Sequence, residues 1–460
     1  MLLTQLASKV KFIFGSANQK SSSIIVGLLI SIMGFLLHWN LELKLERFGV
    51  FQQYNVLFDA DPNVVLHSFT NLGDEPNIDL YYMRQLAHPN VPTFFAAPIR
   101  VLSKGLTIVS PGKFDDTKYL HRQCALVIVP LMAALYYWIV YRLFLRLTLS
   151  LLLASLFTLL ALVSFTQLLF GSIPELFAIN NLAIALAYLL FLVSKDGRER
   201  QCFMAWTAVG MFATGVTITN LVPMAILFWL SEIYQHRGVW ISIARVVGWA
   251  ALVLALTFAL QDIMLGATGL KRPSLSHEFD WIQTFGTKNA KNAVKKFFTF
   301  PEVVVNSIIA PEPKQIPNAF AMQMNPSARY AFKFSFDHLD QKSWHNAFFS
   351  VRNLIGMVLL LLLLLPIRQL AREDRSLFLL SWGSGLVVFY NMIFHSLWGS
   401  DRFLYSQHWH TPLVFLGALL VATKLHVSWQ RCGLVAAVIG VTAINNWTVG
   451  RTLLEALSAR

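Results

Sequence analysis

Residues 22–38 read SSIIVGLLISIMGFLLH, an apolar run without a charged side chain. Crossing the hydrocarbon of a bilayer as a helix takes roughly 20 predominantly apolar residues, so this run reads as a membrane span. Working outward from it, comparable stretches occupy residues 122–141, 147–169, 175–194, 202–219, 222–235, 246–264, 351–366, 375–397, 409–423 and 432–449. The shortest of them, 222–235, carries Pro223 at its start and is the weakest of the set. The chain of 460 residues is 56% hydrophobic and only 13% charged, where a soluble protein averages about 25% charged. An all-α polytopic membrane protein is expected, a bundle of about 11 transmembrane helices.

The formal charge of +13 would suit nucleic acid if it were gathered on one face. Instead the basic residues fall in alternate connections: Lys9, Lys11 and Lys20; Arg142 and Arg146; Lys195, Arg198 and Arg200; Arg237 and Arg245; Arg368, Arg372 and Arg375; Lys424 and Arg431. The turns near Gly171 and Asn220 carry none. This is the positive-inside pattern, and it places the N-terminus in the cytoplasm. No small-residue cleavage site follows the first run, so that run is expected to stay as an anchor. The resulting division is a cytoplasmic segment 1–21, a transmembrane module 22–264 that includes an external loop 39–121, a second external region 265–350, and a transmembrane module 351–460. Cys124, Cys202 and Cys432 lie near span boundaries with no partner at metal-ligand spacing, which implies packing roles and no disulfide framework.

Just outside the first run stands Phe58-Asp59-Ala60-Asp61-Pro62. Aspartates two apart face the same way on an extended segment. Such a pair can share a proton, hold a divalent cation such as Mg or Mn, or act as a general base. Further along the same loop, His88 precedes Pro89 and is thereby held out of the helical region, at a chain turn. Residues 91–106 are apolar enough for an interfacial or re-entrant helix, and Tyr81, Tyr82, Phe94 and Phe95 could line a sugar or lie on the bilayer surface.

In the second external region, residues 281–298 read as an amphipathic helix with Lys288, Lys291 and Lys295 on one face. Such a helix can rest on acidic lipid or draw in the phosphate of a lipid-linked substrate. The last external connection, Trp398 to His410, is rich in aromatic and hydrogen-bonding groups. In it Arg402 can hold a phosphate with its planar fork, pair with Asp401, or snorkel to the surface; Tyr405 and His408 stand beside it. Intramembrane polar residues are costly and often functional; Gln167, Glu175, Asn180, Asn181, Asn220, Asp262, Asn391 and His395 belong here. Ser172-Ile173-Pro174-Glu175 has capping-box spacing, so Glu175 either starts a helix or faces a cavity.

The order of Asn55, Phe58-Asp59-Ala60-Asp61-Pro62, His88-Pro89 and Phe403-Leu404-Tyr405-Ser406, on this topology, resembles the GT-C class of membrane glycosyltransferases, in particular a group of bacterial integral membrane proteins. Here His88-Pro89 is followed by Asn90-Val91-Pro92, a departure from a plain apolar run. The resemblance implies sugar transfer from a polyprenyl-phosphate-linked donor to a lipid, glycan or protein acceptor on the external face of a bacterial inner membrane. In that scheme Asp59 or Asp61 is the general base. Arg402, Lys288, Lys291, Lys295 or a metal on the aspartates offsets charge on the leaving phosphate, and His88, Tyr405 and His408 contact substrate. No Gly-rich phosphate loop or dinucleotide fingerprint is present, which disfavours a cytosolic nucleotide-sugar enzyme. A transporter or flippase for a lipid-linked glycan, and a non-catalytic membrane scaffold, remain open on the same residues.

Overall fold

The computed structural model describes residues 21–53, 56–58, 60–63, 65–66, 87–109, 117–194, 199–235, 238–268, 293–317, 330–333, 350–398, 402–424 and 428–459. Nearly all of this is helix. In chain order the helices are α1 (Ser21–Arg47), α2 (Ala97–Val109), α3 (Thr117–Leu126), α4 (Ile128–Thr148), α5 (Leu151–Val163), α6 (Phe165–Phe170), α7 (Phe177–Ser194), α8 (Glu199–Val216), α9 (Leu221–Tyr234) and α10 (Val239–Thr268). They continue as α11 (Ala293–Phe298), α12 (Phe300–Ile308), α13 (Val351–Leu363), α14 (Pro366–Glu373), α15 (Arg375–Trp398), α16 (Gln407–Lys424) and α17 (Ser428–Ser458). A short antiparallel pair, β1 (Lys314–Pro317) with β2 (Tyr330–Lys333), interrupts them.

Each stretch read as a span is helical, but the expected count of about 11 spans is not confirmed. Among the described residues six helices are long and apolar enough to cross a bilayer: Ser21–Arg47, Leu120–Thr148, Phe177–Ser194, Val239–Ala267, Arg375–Trp398 and Ser428–Ser458. The 13 residues of α5, like the 13 of α13, rise only about 20 Å, short of the ~30 Å hydrocarbon. Stretch 147–169 breaks because Ser164 is extended (φ −60°, ψ 136°), ending α5 and opening α6.

Small residues set the contact between α1 and α4. On α1, a Cβ at Gly34 would lie 2.5 Å from the Tyr137 ring, and one at Gly27 2.6 Å from the Tyr141 ring. Without those glycines α1 could not lie against α4. Helix α4 ends with Leu149 in the left-handed region (φ 53°). Ser150 then caps α5, its Oγ accepting from the Leu153 N–H at 3.3 Å, so the chain reverses within two residues. Arg142, expected in a connection, instead lies inside α4, buried with its guanidinium 5.9 Å from the Trp138 ring centre. The polar edge of that connection begins later, because α4 runs on to Thr148.

The C-terminal ends of α1, α8 and α15 meet the N-terminal ends of α7, α9 and α16. His38 bonds Ser172, Asn220 bonds Asn180, and His395 stacks on Tyr405. At the other end Arg245 pairs with Glu232 at 2.5 Å, and Arg375 donates to the Ile233 carbonyl. Large exposed apolar side chains along α1, α10 and α17, such as Leu29, Val247 and Ile444, match the lipid-facing surface that such helices present.

Two helices were not anticipated: α14, in the connection that carries Arg368 and Arg372, and α12. α12, inside the region read as an external loop, is buried in the bundle. Its Phe300 ring lies 4.8 Å from Trp409, and the Pro301 carbonyl packs directly on Gly356 of α13. Asn353 of α13 accepts from the Glu302 N–H and donates to the Phe298 carbonyl. At the far end Asn446 of α17 donates to the Ile308 and Val163 carbonyls and accepts from the Ala310 N–H.

Candidate functional site

The head of the first loop is held from several sides. The Phe58 N–H donates to the Phe332 carbonyl at 2.9 Å, and the Phe332 N–H to the Val56 carbonyl at 2.8 Å. This joins the first loop to the second in a parallel bridge. Phe58 has φ 53°, uncommon for a residue with a Cβ, and its ring is buried against Phe403 and Phe165, with centroids 5.2 and 6.0 Å away. The chain then turns through Ala60 N–H to the Leu57 carbonyl, and the Asp61 N–H donates to Glu175 Oε1 at 2.6 Å. Pro62, Asn63, Val65 and Leu66 are helical, so Asp61 occupies a cap position with proline following it. Asp59 lies outside the described residues.

The capping-box reading of Ser172 and Glu175 does not hold. Helix α7 starts at Phe177, beyond Glu175, and the Ser172 Oγ donates back to the Leu168 carbonyl and contacts His38. Glu175 sits in the turn, buried, with its carboxylate directed at the Asp61 backbone.

His88 is tied to the end of α8. Its Nδ1 is 2.7 Å from the Val216 carbonyl, which can only accept, so that nitrogen carries the proton. The flanking backbone reinforces the join: Ile218 N–H to the Ala87 carbonyl and Asn90 N–H to the Gly215 carbonyl. Asn90 reaches the Thr257 carbonyl of α10, and Phe94 packs on Phe212. From Val91 the chain is continuously helical to Val109, beginning as a π-helical turn over Pro92–Ala96. Val101, Ile108 and Val109 are exposed along it. Tyr81 and Tyr82 lie outside the described residues.

The last connection folds inward. Arg402 is buried, and its Nη1 donates to the Lys296 carbonyl at 2.5 Å and to Thr299 Oγ1 at 2.9 Å. It therefore fastens this connection to the junction of α11 and α12. Of the expected lysine face, Lys295 is helical in α11, while Lys288 and Lys291 lie outside the described residues. Tyr405 stacks on His395 at 4.2 Å and meets Phe177 edge-on at 5.7 Å; His408 lies 6.2 Å from Phe177 and 5.3 Å from His395. His88 is within electrostatic range of His408. Phe177 is two residues from Glu175, and Phe403 adjoins Arg402. The structure thus gathers Asp61, His88, Arg402, Tyr405 and His408 around the end of the bundle that carries the first loop.

Behind these residues lies a buried polar network of which the sequence disclosed only parts. Gln407 accepts from Gln167 (2.8 Å) and Asn181 (2.7 Å) and donates to the Thr166 carbonyl (2.7 Å). Thr166 also bonds Ser406. Thr411 donates to Asn181, and His410 is hydrogen-bonded to Tyr136 at 3.1 Å. His38 joins Ser172 and Tyr137. The spacing of Gln407, His410 and Thr411 puts them on one helix face, which was the available signal. Reading Gln407 and His410 as the tail of a surface connection hid it.

Among the described residues no three of His, Cys, Asp and Glu gather as a metal site. The cysteines are free, with Cys124 and Cys202 buried. No protein-family profile matches the chain, and no curated protein does.

Proposed function

We propose that this chain is a membrane glycosyltransferase of the GT-C kind, moving a sugar from a polyprenyl-phosphate-linked donor to an acceptor on the external face. One observation carries the reading: the head of the first loop, the second loop and the last connection meet at Phe58, whose backbone pairs with Phe332 and whose ring packs on Phe403. These are the three segments on which the resemblance rests or which it requires. Their meeting puts Asp61 beside a turn that leads through Phe177 to Tyr405 and His408.

In this scheme a carboxylate of the pair, with Asp59 preferred, takes the proton of the acceptor hydroxyl as that oxygen attacks the anomeric carbon. Asp61 positions the acceptor, and the bond from the anomeric carbon to the phosphate oxygen breaks. Lys295 of α11 supplies positive charge toward the leaving phosphate. Arg402 holds the α11–α12 junction in place through its bonds to Lys296 and Thr299. The aromatic faces of Tyr405 and Phe177 suit a sugar ring, and the His and Asn side chains around them suit its hydroxyls.

The purified protein reconstituted with labelled polyprenyl-phosphate sugars provides the test. A glycosylated product is expected. Movement of the labelled lipid across proteoliposomes with no product would replace this reading with a transporter.

A further inference from the structure

Glu175 is a buried carboxylate that begins no helix and bonds the backbone of the residue that the proposed chemistry needs in place. We infer that Glu175 is a positioning residue for Asp61: its carboxylate fixes the backbone there, and so where that aspartate stands. This deepens the glycosyltransferase reading and rests on it for its catalytic consequence, though not for its structural one.

The argument is one of anchors. At its start, segment 56–61 is pinned by the Val56 and Phe58 bonds to Phe332. In the middle it is pinned by the Phe58 ring among Phe403 and Phe165. Glu175 supplies the anchor at its end, 2.6 Å from the Asp61 nitrogen. The carboxylate oxygen accepts this hydrogen bond, and the burial of Glu175 limits competition from water. Glu175 itself is set by a tight turn in which its own N–H donates to the Ile173 carbonyl at 2.7 Å, and Ile173 is buried. The position of Asp61 is thereby referred to the junction of α6 and α7, and not left to the loop.

Glu175→Gln keeps an acceptor oxygen at the same reach. Glu175→Met keeps the length and removes the acceptor. With both variants monodisperse after purification, Glu175→Met should lower kcat about a hundredfold, the scale of a misplaced catalytic group, with KM little changed. Glu175→Gln should restore most of that loss. A second readout does not depend on turnover: thiol labelling at Asn63→Cys, in a background carrying Cys124→Ala, Cys202→Ala and Cys432→Ala. Labelling should speed up with Glu175→Met and stay at the parental rate with Glu175→Gln. Equal labelling in all three would overturn the positioning role whatever the activity. Equal loss of kcat in Gln and Met, with labelling unchanged, would instead assign the effect to the charge and also overturn it. If the parent transfers no sugar, the glycosyltransferase reading fails, while the labelling result still decides the role of Glu175.

Discussion

The rings of Phe58 and Phe403 meet edge-on, with centroids 5.2 Å apart and planes at 61°. Phe58 belongs to the first loop and Phe403 to the last connection, and both side chains are fully buried. Their contact is the join on which the site depends. An aromatic pair of this geometry contributes about 1 kcal/mol beyond the area it buries. A double-mutant cycle of Phe58→Leu and Phe403→Leu, read by thermal unfolding in detergent, should return a coupling of about that size. Strict additivity would mean that the two segments do not touch.

Gly356 fixes where α12 lies. A Cβ there would stand 2.1 Å from the Pro301 carbonyl oxygen and 2.4 Å from its carbon, and backbone cannot yield as a side-chain tip can. Gly356→Ala should push α12 off α13, lower the unfolding temperature by several degrees, and speed proteolysis between residues 293 and 310. Gly248 has open space around it, so Gly248→Ala should be tolerated.

Asn446 satisfies three backbone groups at once: the Val163 and Ile308 carbonyls at 2.8 and 2.7 Å and the Ala310 N–H at 2.9 Å. Asn446→Leu would strand buried polar groups, each costing about 1–3 kcal/mol, and should destabilise the fold by more than about 2 kcal/mol. Its neighbour Asn445 reaches the Ala310 carbonyl and Asn446 alone. Asn445→Leu should cost less than half as much in the same unfolding assay.

Gln407 joins Gln167, Asn181 and Thr166 inside the bundle. Hydrogen bonds between membrane helices average about 0.6 kcal/mol, so Gln407→Leu should cost roughly 2 kcal/mol in total. Thr411→Val, which removes the bond to Asn181, should cost less than about 1 kcal/mol. A Gln407→Leu effect no larger than that of Thr411→Val would show that the network is held by packing.

The helical positions were readable because each stretch is dominated by apolar residues, as in the unbroken run 354–365, and no tertiary contact is needed to see that. Crossing was less readable. Ser164 divides one stretch, and α5 and α13 stop short of a full hydrocarbon thickness. Helix α12 was hidden because it lies inside region 265–350, read as external, and carries a proline; Pro301 sits in its first turn, where proline is tolerated. At the site, Asp61, Tyr405 and His408 stood out by residue type and sidedness. The role of Arg402 did not: its partners are the Lys296 carbonyl and Thr299, and no sequence pattern announces a backbone acceptor. Glu175 was misread for a related reason. Its spacing from Ser172 matched a cap, and only the fold brings it to Asp61.

Sugar transfer by Asp59 or Asp61, the latter bonded to Glu175 through its backbone, is the proposal on which the rest depends. The direct measurement is kcat for Asp59→Asn and Asp61→Asn with a polyprenyl-phosphate-linked sugar donor, each variant matched to the parent in expression and unfolding temperature. Removing a general base lowers rates by about 10²–10⁴, and the account predicts a loss in that range for at least one of the two. Full transfer activity in both variants would contradict it.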